Sequence, residues 1–446
     1  MVNKSISFTL RYTLRLVVEF ISRYKALFLV SFIFGALVFI VAGAVLPGIL
    51  SSKIDRIGMA GKFTVEDIPY SIQRILSRGL TKLKANGEIE PDLAVSWETP
   101  DKGKTWIFHL AQNIRWNDNT PLISRDLNYN FSDVEIQFPD DQTVVFTLST
   151  PYSPFPTIVS KPVFKRGLLG SSNWQVDKLT LTGNFIQALA IRDNRGRRKI
   201  YKFYPTEDQT KLAYRLAEVD VIEDLIDPSP LNSWPMTQTR QRVNDSRIVV
   251  IFLNTTDSLL ADKSIRQALA YSIDKRTFGV RAISPISSSS WSFNPQVKSY
   301  DQDVVRAKEI ITDYLKTKDD KRIEVKLASY PSLLGVAEKI SQDWEKIGVS
   351  TSVQVSSITP VAYQAFLAIY DIPSDPDQYT VWHSTQVETN ITKYASPRID
   401  KLLEDGRTEL EFANRKKIYL DFQRFLLEDS PAIFLYYPEY YTIERL

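Results

Sequence analysis

The stretch that decides the fold class is DVVRAKEIITDYLKTKDDKRIEVKLASYPSLLGVAEKISQDWEKIGVSTSVQV, residues 303–355. Asp303 can cap a helix whose apolar residues recur on one face: Ala307, Ile310, Ile311 and Tyr314. A second helix starts near Ser332 and stops at Gly348, and its apolar face carries Leu333, Val336, Ala337, Ile340 and Trp344. Residues 351–355 then favour a strand, so the alternation of helix and strand predicts an α/β lobe.

The same kinds of pattern continue on both sides of this stretch. Asp262, before this stretch, and the pair Ser396-Pro397, after it, are predicted helix starts, and a last helix is predicted over about residues 413–427. The first half favours strands, with a helix predicted near residues 69–79; the strand runs are Thr105–Leu110, Thr143–Leu148, Lys199–Tyr204 and Arg247–Leu253. The roughly 390 residues that follow the N-terminal apolar run are too many to share one hydrophobic core, so two lobes are expected.

A charge-free apolar run occupies residues 26–52, between Lys25 and Lys53. A bilayer core needs about 20 apolar residues as helix, so the run predicts a transmembrane anchor. Residues 1–25 form a basic leader, which keeps the N-terminus in the cytoplasm and places the large domain outside by the positive-inside rule. The alternative is a cleaved signal peptide ending at Ala42-Gly43-Ala44, but its apolar core would span only roughly 7–15 residues. A single-pass protein of the cell membrane is therefore expected.

The amino-acid composition limits the classes of partner that this protein is expected to bind. Hydrophobic residues make up 43% of the chain and charged residues 24%, which is typical of a globular protein. The net charge is +3, and much of it lies in the leader, so nothing suggests a nucleic-acid surface. The chain has no cysteine, which excludes disulfides, thiolate metal sites and a lipidated cysteine anchor.

A search for catalytic or cofactor chemistry proposes no site. The two histidines, His109 and His383, are far apart in the sequence and form a poor metal site without cysteine. There is no Gly-x-Ser-x-Gly elbow, no phosphate-binding Gly-Lys-Ser/Thr loop and no dinucleotide fingerprint. The expectation is a protein that is not an enzyme and carries neither a cofactor nor a metal.

Several collinear motifs resemble one family. The segments PDLAVSWE (residues 91–98) and GKTWIFHL (103–110) are similar to a signature of the extracellular solute-binding proteins of the peptide/nickel family. WNDNTPL (116–122) is similar to a turn of that family, with Asn119 where glycine is usual; asparagine tolerates positive φ. IRQALAYSIDK (265–275), DPD (375–377), WHS (382–384) and the stretch 394–403 continue the resemblance, which covers roughly residues 60–446.

The resemblance implies two lobes of the periplasmic-binding-protein type that close about a hinge and pass a ligand to an ABC permease. The expected division is residues 53–254 for lobe I, 255–432 for lobe II and 433–446 for a return to lobe I. The sequence departs from the family pattern after Ser124–Phe131, where a helical insertion is nearly absent. A trimmed subdomain of lobe I is therefore expected, and the ligand class stays open. The competing interpretation is a membrane-tethered receptor or scaffold that kept the fold without transport.

The resemblance also implies ligand-binding residues. In the peptide-binding branch an acidic residue just before the Asp-Pro motif holds the peptide amine, and here that position is closest to Asp371, with Asp375 as the substitute. A carboxylate in a closed cleft pairs well with an ammonium. The alternative is that both residues cap turns beside Pro373 and Pro376. The aromatic residues expected to wall the cleft are Tyr379, Trp382 and Trp291.

Overall fold

The computed structural model describes residues 54–446 apart from 318–321, 359 and 361, together with residues 19, 23–25, 30–31 and 33–40. Within 54–446 the chain forms two lobes. Lobe I consists of residues 54–243 and 439–446, and lobe II of residues 247–436. Each buried apolar cluster in the described residues lies within one lobe, so each lobe has cores of its own. The two-lobed α/β architecture expected from the sequence is therefore present.

Lobe I is built mainly of strands: β1 Ile54–Ala60, β2 Thr81–Leu83, β3 Ile89–Pro91, β4 Ala94–Glu98, β5 Thr105–Leu110, β6 Val134–Asp140, β7 Thr143–Leu148, β8 Trp174–Thr182, β9 Phe185–Asp193, β10 Arg198–Tyr204, β11 Val221–Leu225 and β12 Thr237–Val243. Its helices are α1 Tyr70–Leu76, α2 Phe155–Ile158 and α3 Glu207–Arg215. The predicted runs at 105–110, 143–148 and 199–204 all form strands, because β-branched and aromatic residues alternate there between turn residues.

Strands β4, β5, β7 and β6 form a small four-stranded antiparallel sheet in lobe I. Its core packs Trp106, Phe108, Phe146 and Phe155 together. Between Ser124 and β6 the chain makes only one 3₁₀ turn, Ser124–Asp126, so this subdomain is small. Asn119 has φ of +67°, as expected for the turn in which it replaces glycine.

Lobe II contains the α/β pattern from which the fold class was predicted. Its strands are β13 Arg247–Leu253, β14 Ile323–Ser329, β15 Val349–Val355, β16 Ala365–Asp371 and β17 Ala432–Tyr436, in the sheet order β15-β14-β16-β13-β17. Its helices are α4 Lys263–Ser272, α5 Val304–Lys316, α6 Leu334–Glu345, α7 Tyr379–Trp382, α8 Pro397–Thr408 and α9 Phe412–Asp429. The carboxylates of Asp262 and Asp303 accept backbone N–H groups at the starts of α4 and α5, as predicted.

Strand β18, Glu439–Arg445, returns to lobe I and completes a seven-stranded sheet in the order β12-β18-β11-β1-β10-β9-β8. The chain crosses between the lobes at residues 244–246 and again at 437–438, and the Asn244 N–H donates to the Pro438 carbonyl at 2.9 Å. The first crossing precedes the predicted division at 254, and the second follows the predicted division at 432. The difference arises because β13 and β17 are apolar on both faces and are sandwiched between the two cores of lobe II.

The predicted leader (1–25) and anchor (26–52) lie mostly outside the described residues. Residues 33–40 are described as helical, and their apolar side chains are exposed. Among the helices that the structure does describe, none combines the length and apolarity needed to cross a membrane.

Candidate functional site

The turn between β2 and β3 reaches across from lobe I to lobe II. The Trp291 N–H of lobe II donates to the Asn86 carbonyl at 2.9 Å. Gly87 has φ of +81°, and a Cβ at this position would come within 2.9 Å of the Ser374 carbonyl oxygen. Glycine is required here because the backbone must approach the other lobe this closely.

The segment after β7 makes a second contact between the lobes. The Tyr152 hydroxyl donates to an Asp377 carboxylate oxygen at 3.2 Å, and the Thr157 hydroxyl lies 3.5 Å from Asp375. The Ser153 N–H donates to the Arg407 carbonyl at 2.7 Å. The Asp-Pro-Asp motif of lobe II thus lies directly against lobe I.

Asp375 is bound by a buried guanidinium. Arg415 on α9 donates from Nη1 and Nη2 to the two carboxylate oxygens at 2.9 and 2.5 Å, and its Nε donates to the Gly406 carbonyl. The two side chains are only 12% and 10% exposed. Burial alone would lower the pKa of Arg415, but the charge and hydrogen bonds of Asp375 together raise it above its ordinary value. Arg415 therefore stays charged.

A second ion pair lies beside the first. The Nε of Arg407, on α8, is 3.1 Å from an Asp377 oxygen, and its guanidinium lies over the ring of Tyr379 at 4.3 Å. Burial raises the pKa of Asp377, and Arg407 opposes that rise. Burial and the nearby Asp377 also raise the pKa of the Tyr152 phenol, which remains a hydrogen-bond donor at neutral pH.

Three cavities follow the boundary between the lobes. The first, of about 440 Å³, has aromatic walls from both lobes and is called the aromatic cavity below: lobe I provides Trp97 and Trp106, and lobe II provides Trp291 and Phe412. The Asp375–Arg415 pair lines it, and Glu88 and Glu409 are its other acidic lining residues. The second cavity, about 390 Å³, is lined by Tyr152, Tyr379 and Arg407 among others. The third, about 200 Å³, lies beside the hinge and is polar, with Arg74, Lys84, Asp245 and three serines of the run 287–290.

The structure brings together three of the five predicted ligand residues. Asp375 and Trp291 line the aromatic cavity, and Tyr379 lines the neighbouring one. Asp375 also caps a turn, because its Oδ1 accepts the Asp377 N–H at 2.9 Å. The turn-capping alternative is thus observed for Asp375, together with the ion pair that the sequence did not indicate.

Asp371 lies elsewhere, at the end of β16 beside the hinge. Its side chain is 77% exposed, and its Oδ1 accepts from the Nε of Arg247 at 2.6 Å. Arg247 in turn donates to the hydroxyl of Tyr440 in lobe I at 2.9 Å. The next residues, Ile372 to Ser374, line the polar cavity beside the hinge.

Trp382 is not placed as expected for a cleft wall. Its side chain is fully buried in lobe II, where it packs on Phe252 and Phe434. Its indole N–H donates to the Gln378 amide oxygen at 2.8 Å. An indole whose ring and N–H both have partners inside the lobe belongs to its core in this structure, and the expected contact of Trp382 with a ligand stays a prediction.

The sequence patterns did not identify the other cleft residues, which are Trp97, Trp106, Phe412, Arg407 and Arg415. Trp97 and Trp106 belong to the family motifs, and Trp106 also to a predicted strand, but neither pattern shows that a side chain faces another lobe. Arg415 lies 40 residues from its partner Asp375, so no local pattern connects them.

The two histidines have different surroundings. His109 is on the small sheet of lobe I and is 44% exposed. His383 is buried, stacks on Tyr379 at 4.0 Å and lies 3.5 Å from a Glu404 oxygen. Across the part of the chain that the structure describes, no three His, Cys, Asp or Glu side chains are arranged to hold a metal ion.

The chain is similar to known binding proteins along most of its length. The profile of the bacterial extracellular solute-binding proteins, family 5, matches residues 88–135 and 197–388, more than half of the chain. The dipeptide-binding protein of Escherichia coli (strain K12) is 22% identical over 431 residues, which cover 78% of this chain and 81% of that protein.

Two solved structures share the fold. NikZ from Campylobacter jejuni, in complex with Ni(L-His), superimposes with a TM-score of 0.70 and 21% identity, covering 88% of this chain and 94% of NikZ. The ABC transporter substrate-binding protein CtaP from Listeria monocytogenes superimposes with a TM-score of 0.73 and 19% identity, covering 88% and 93%. The motifs, the two-lobed fold and the profile match agree, and the chain belongs to the bacterial extracellular solute-binding proteins, family 5.

Proposed function

We propose that this protein captures a peptide or a similar small amine-bearing solute between its lobes and delivers it to an ABC permease. The observation that carries the proposal is the aromatic cavity, whose walls come from both lobes. A ligand placed there touches Trp97 on one side and Trp291 on the other, so its burial favours the closed arrangement of the lobes. The dipeptide-binding protein of Escherichia coli and the substrate-binding protein CtaP support this class of function.

Asp371 is proposed to hold the ligand's ammonium group. The support is that its carboxylate is exposed and lies at the end of β16 beside the hinge, next to residues that line the polar cavity. Its ion pair with Arg247 is also exposed, and such pairs contribute only about 0–1 kcal/mol, so a ligand cation can compete for the carboxylate. Asp375 is less suited, because displacing Arg415 would leave a buried guanidinium without its partner.

The positions of Asp371 and the aromatic cavity fit an extended peptide. Residue 371 is four residues from Asp375 on the cavity wall, so their Cα atoms are at most about 14 Å apart. A peptide whose amine lies at Asp371 therefore reaches the cavity with one of its first few side chains. The cavity lining then selects the type of side chain, while Asp371 binds the amine.

Membrane attachment through residues 26–52 is part of the proposal. The described residues 33–40 are helical, and their exposed side chains include Phe34 (67%), Leu37 (57%) and Phe39 (80%). An apolar helix with outward-facing side chains of this kind is stable in lipid. Retention of this segment is checked by membrane partition of the mature protein, and a water-soluble form starting near Val45 would contradict it.

Native mass spectrometry of the detergent-purified full chain tests ligand capture directly. We expect a copurified small solute, and titration calorimetry with a peptide library should then give a dissociation constant for the best class. A protein that yields no copurified solute and binds no library member would favour the alternative, a membrane-tethered receptor or scaffold without transport.

A further inference from the structure

The chain enters lobe I at the side of the seven-stranded sheet where β1, β10 and β12 begin and β9 and β18 end. β1 begins there at Ile54, which pairs with Arg198 at the start of β10. The turn between β9 and β10, residues 194–197, lies at the same edge, because Arg192 of β9 pairs with Arg198. The end of β18 and the start of β12 lie there too, since Arg445 pairs with Thr237. We call this the entry edge.

The proposed anchor places the entry edge next to the bilayer. If the membrane helix runs to Ser52, Ile54 is about 7 Å from its end at most. If the helix uses only the roughly 20 residues needed from Ala26, residues 46–53 add at most about 30 Å. A domain of roughly 390 residues has a radius of gyration of about 21 Å. A linker of at most about 30 Å is shorter than the domain is wide, so it favours contact of the membrane with the entry edge over contact with the opposite side of lobe I.

Arginine side chains dominate one half of the entry edge. Arg195, Arg197 and Arg198 are exposed around the β9–β10 turn. Arg197 pairs with Asp193 at 2.6 Å and Arg198 with Asp177 at 3.1 Å. Among the described residues Arg195 has no ion pair.

These arginines surround a concave site. A cavity of about 650 Å³ opens at this half of the edge and is lined by Arg74, Arg195, Arg197, Trp174, Asp193 and the polar residues Ser172, Asn173 and Asn194. Arg197 neutralises Asp193, so Arg74 and Arg195 leave the cavity with a positive balance. Guanidinium groups with neighbouring amide side chains are the groups that bind phosphate oxygens.

The other half of the edge exposes apolar side chains beside cations. Leu216, just after α3, is 63% exposed, and Met236, just before β12, is 67% exposed. Trp234 is 37% exposed and lies under the guanidinium of Arg215 at 5.6 Å. Tryptophan with arginine is the combination typical of a membrane–water interface.

We propose that the entry edge lies on the membrane surface and that the arginine-lined cavity binds the phosphate headgroups of anionic phospholipids. The inference rests on the proposed anchor and extends it from a tether to a defined orientation. The hinge joins the opposite edge of the same sheet, where β12 ends and β18 begins, so lobe II stays clear of the bilayer and free to close.

The absence of native cysteine allows a direct test with single labels. Asn194→Cys labels the β9–β10 turn, and Asn184→Cys labels the β8–β9 turn at the far end of the same strand, about 30 Å away. The full chain is reconstituted into nanodiscs of phosphatidylcholine mixed with phosphatidylglycerol that carry a headgroup spin label. We expect strong quenching of a fluorophore at 194 and weak quenching at 184.

A charge variant tests the phosphate site. Arg74 also lines the polar cavity beside the hinge, so only Arg195 is substituted. Each arginine near an anionic surface contributes a factor of about five, so Arg195→Gln should lower the ratio of docked to undocked protein about five-fold. The matched control is Arg276→Gln on lobe II, which removes the same charge and should leave the quenching at 194 unchanged. Raised salt or pure phosphatidylcholine should weaken the quenching at 194 in the wild type.

The outcomes separate the two proposals. Equal quenching at 194 and 184 in a protein that stays in the nanodisc would overturn the orientation and leave the anchor standing. Equal effects of the two charge variants would overturn the phosphate site. Recovery of the protein outside the nanodisc would overturn the anchor and the orientation together.

Discussion

Replacing Asp375 by asparagine should destabilise lobe II strongly. The substitution removes the negative partner of Arg415, whose side chain is 10% exposed and donates two charge-assisted hydrogen bonds to Asp375 at 2.5 and 2.9 Å. The asparagine amide oxygen can still accept one of these bonds, but the guanidinium loses its compensating charge and one acceptor, and its other contacts are the Gly406 carbonyl and the Tyr419 hydroxyl at 3.4 Å. Breaking a buried ion pair by removing one partner costs about 3–5 kcal/mol, a large part of the roughly 5–15 kcal/mol that stabilises a domain.

Urea and thermal unfolding of the purified protein measure this cost. For a lobe of this size we expect the melting temperature to fall by roughly 6–20 °C. The matched control is Asp421→Asn, which breaks the exposed pair with Arg424 on the same helix and should cost less than about 1 kcal/mol. In the double variant Asp375→Leu with Arg415→Met, most of the loss should be recovered. An Asp375→Asn protein that unfolds like the wild type would refute the reasoning, because the buried guanidinium would then need no partner.

Three further outcomes are expected. Asp371→Asn should weaken binding of an amine-bearing ligand about thirty-fold by calorimetry while leaving the melting temperature nearly unchanged, since the side chain is 77% exposed; unaltered affinity would return Asp371 to a turn-capping role. Phe412→Ala should weaken ligands with a bulky apolar side chain about tenfold, whereas Phe185→Ala, a similarly exposed phenylalanine outside the aromatic cavity, should not. Burial, with the charge of Arg281 adding to it, lowers the pKa of Lys275 to about 7, so between pH 7 and about 10 the unfolded chain binds one proton more than the folded one. Stability should therefore rise with pH in this window, and Lys275→Met should flatten the rise in urea titrations; parallel slopes for the two proteins would contradict it.

Much of the secondary structure follows from local signals. Asp262 and Asp303 cap their helices because a short carboxylate reaches the free N–H groups of the first turn. Arg247–Leu253 forms a strand with the predicted bounds, since its β-branched residues favour extended backbone. Ser332 is a partial exception: a 3₁₀ turn at Pro331–Leu333 precedes the helix, which begins at Leu334.

The candidate site depends less on local signals. Tyr379 and Trp382 are three residues apart on one short helix, yet one lines a cavity and the other lies in the core. Residues three apart on a helix are neighbours on one face, so their spacing does not distinguish the two roles. The packing of lobe II around this helix decides which ring is covered, and the aromatic pattern alone could not separate them.

The amino-acid sequence by itself determined the α/β class, the family resemblance and the positions of most strands and helix starts, because caps, turns and residue periodicity act over a few neighbouring residues. The tertiary structure alone decided which residues meet in the cleft. Arg415 reaches Asp375 across 40 residues, and the aromatic cavity joins Trp97 of lobe I to Trp291 of lobe II. The first contact depends on how the helix that carries Arg415 packs within lobe II, and the second on how the two crossings at 244–246 and 437–438 orient the lobes. Both geometries are set by packing between residues that are distant in the sequence.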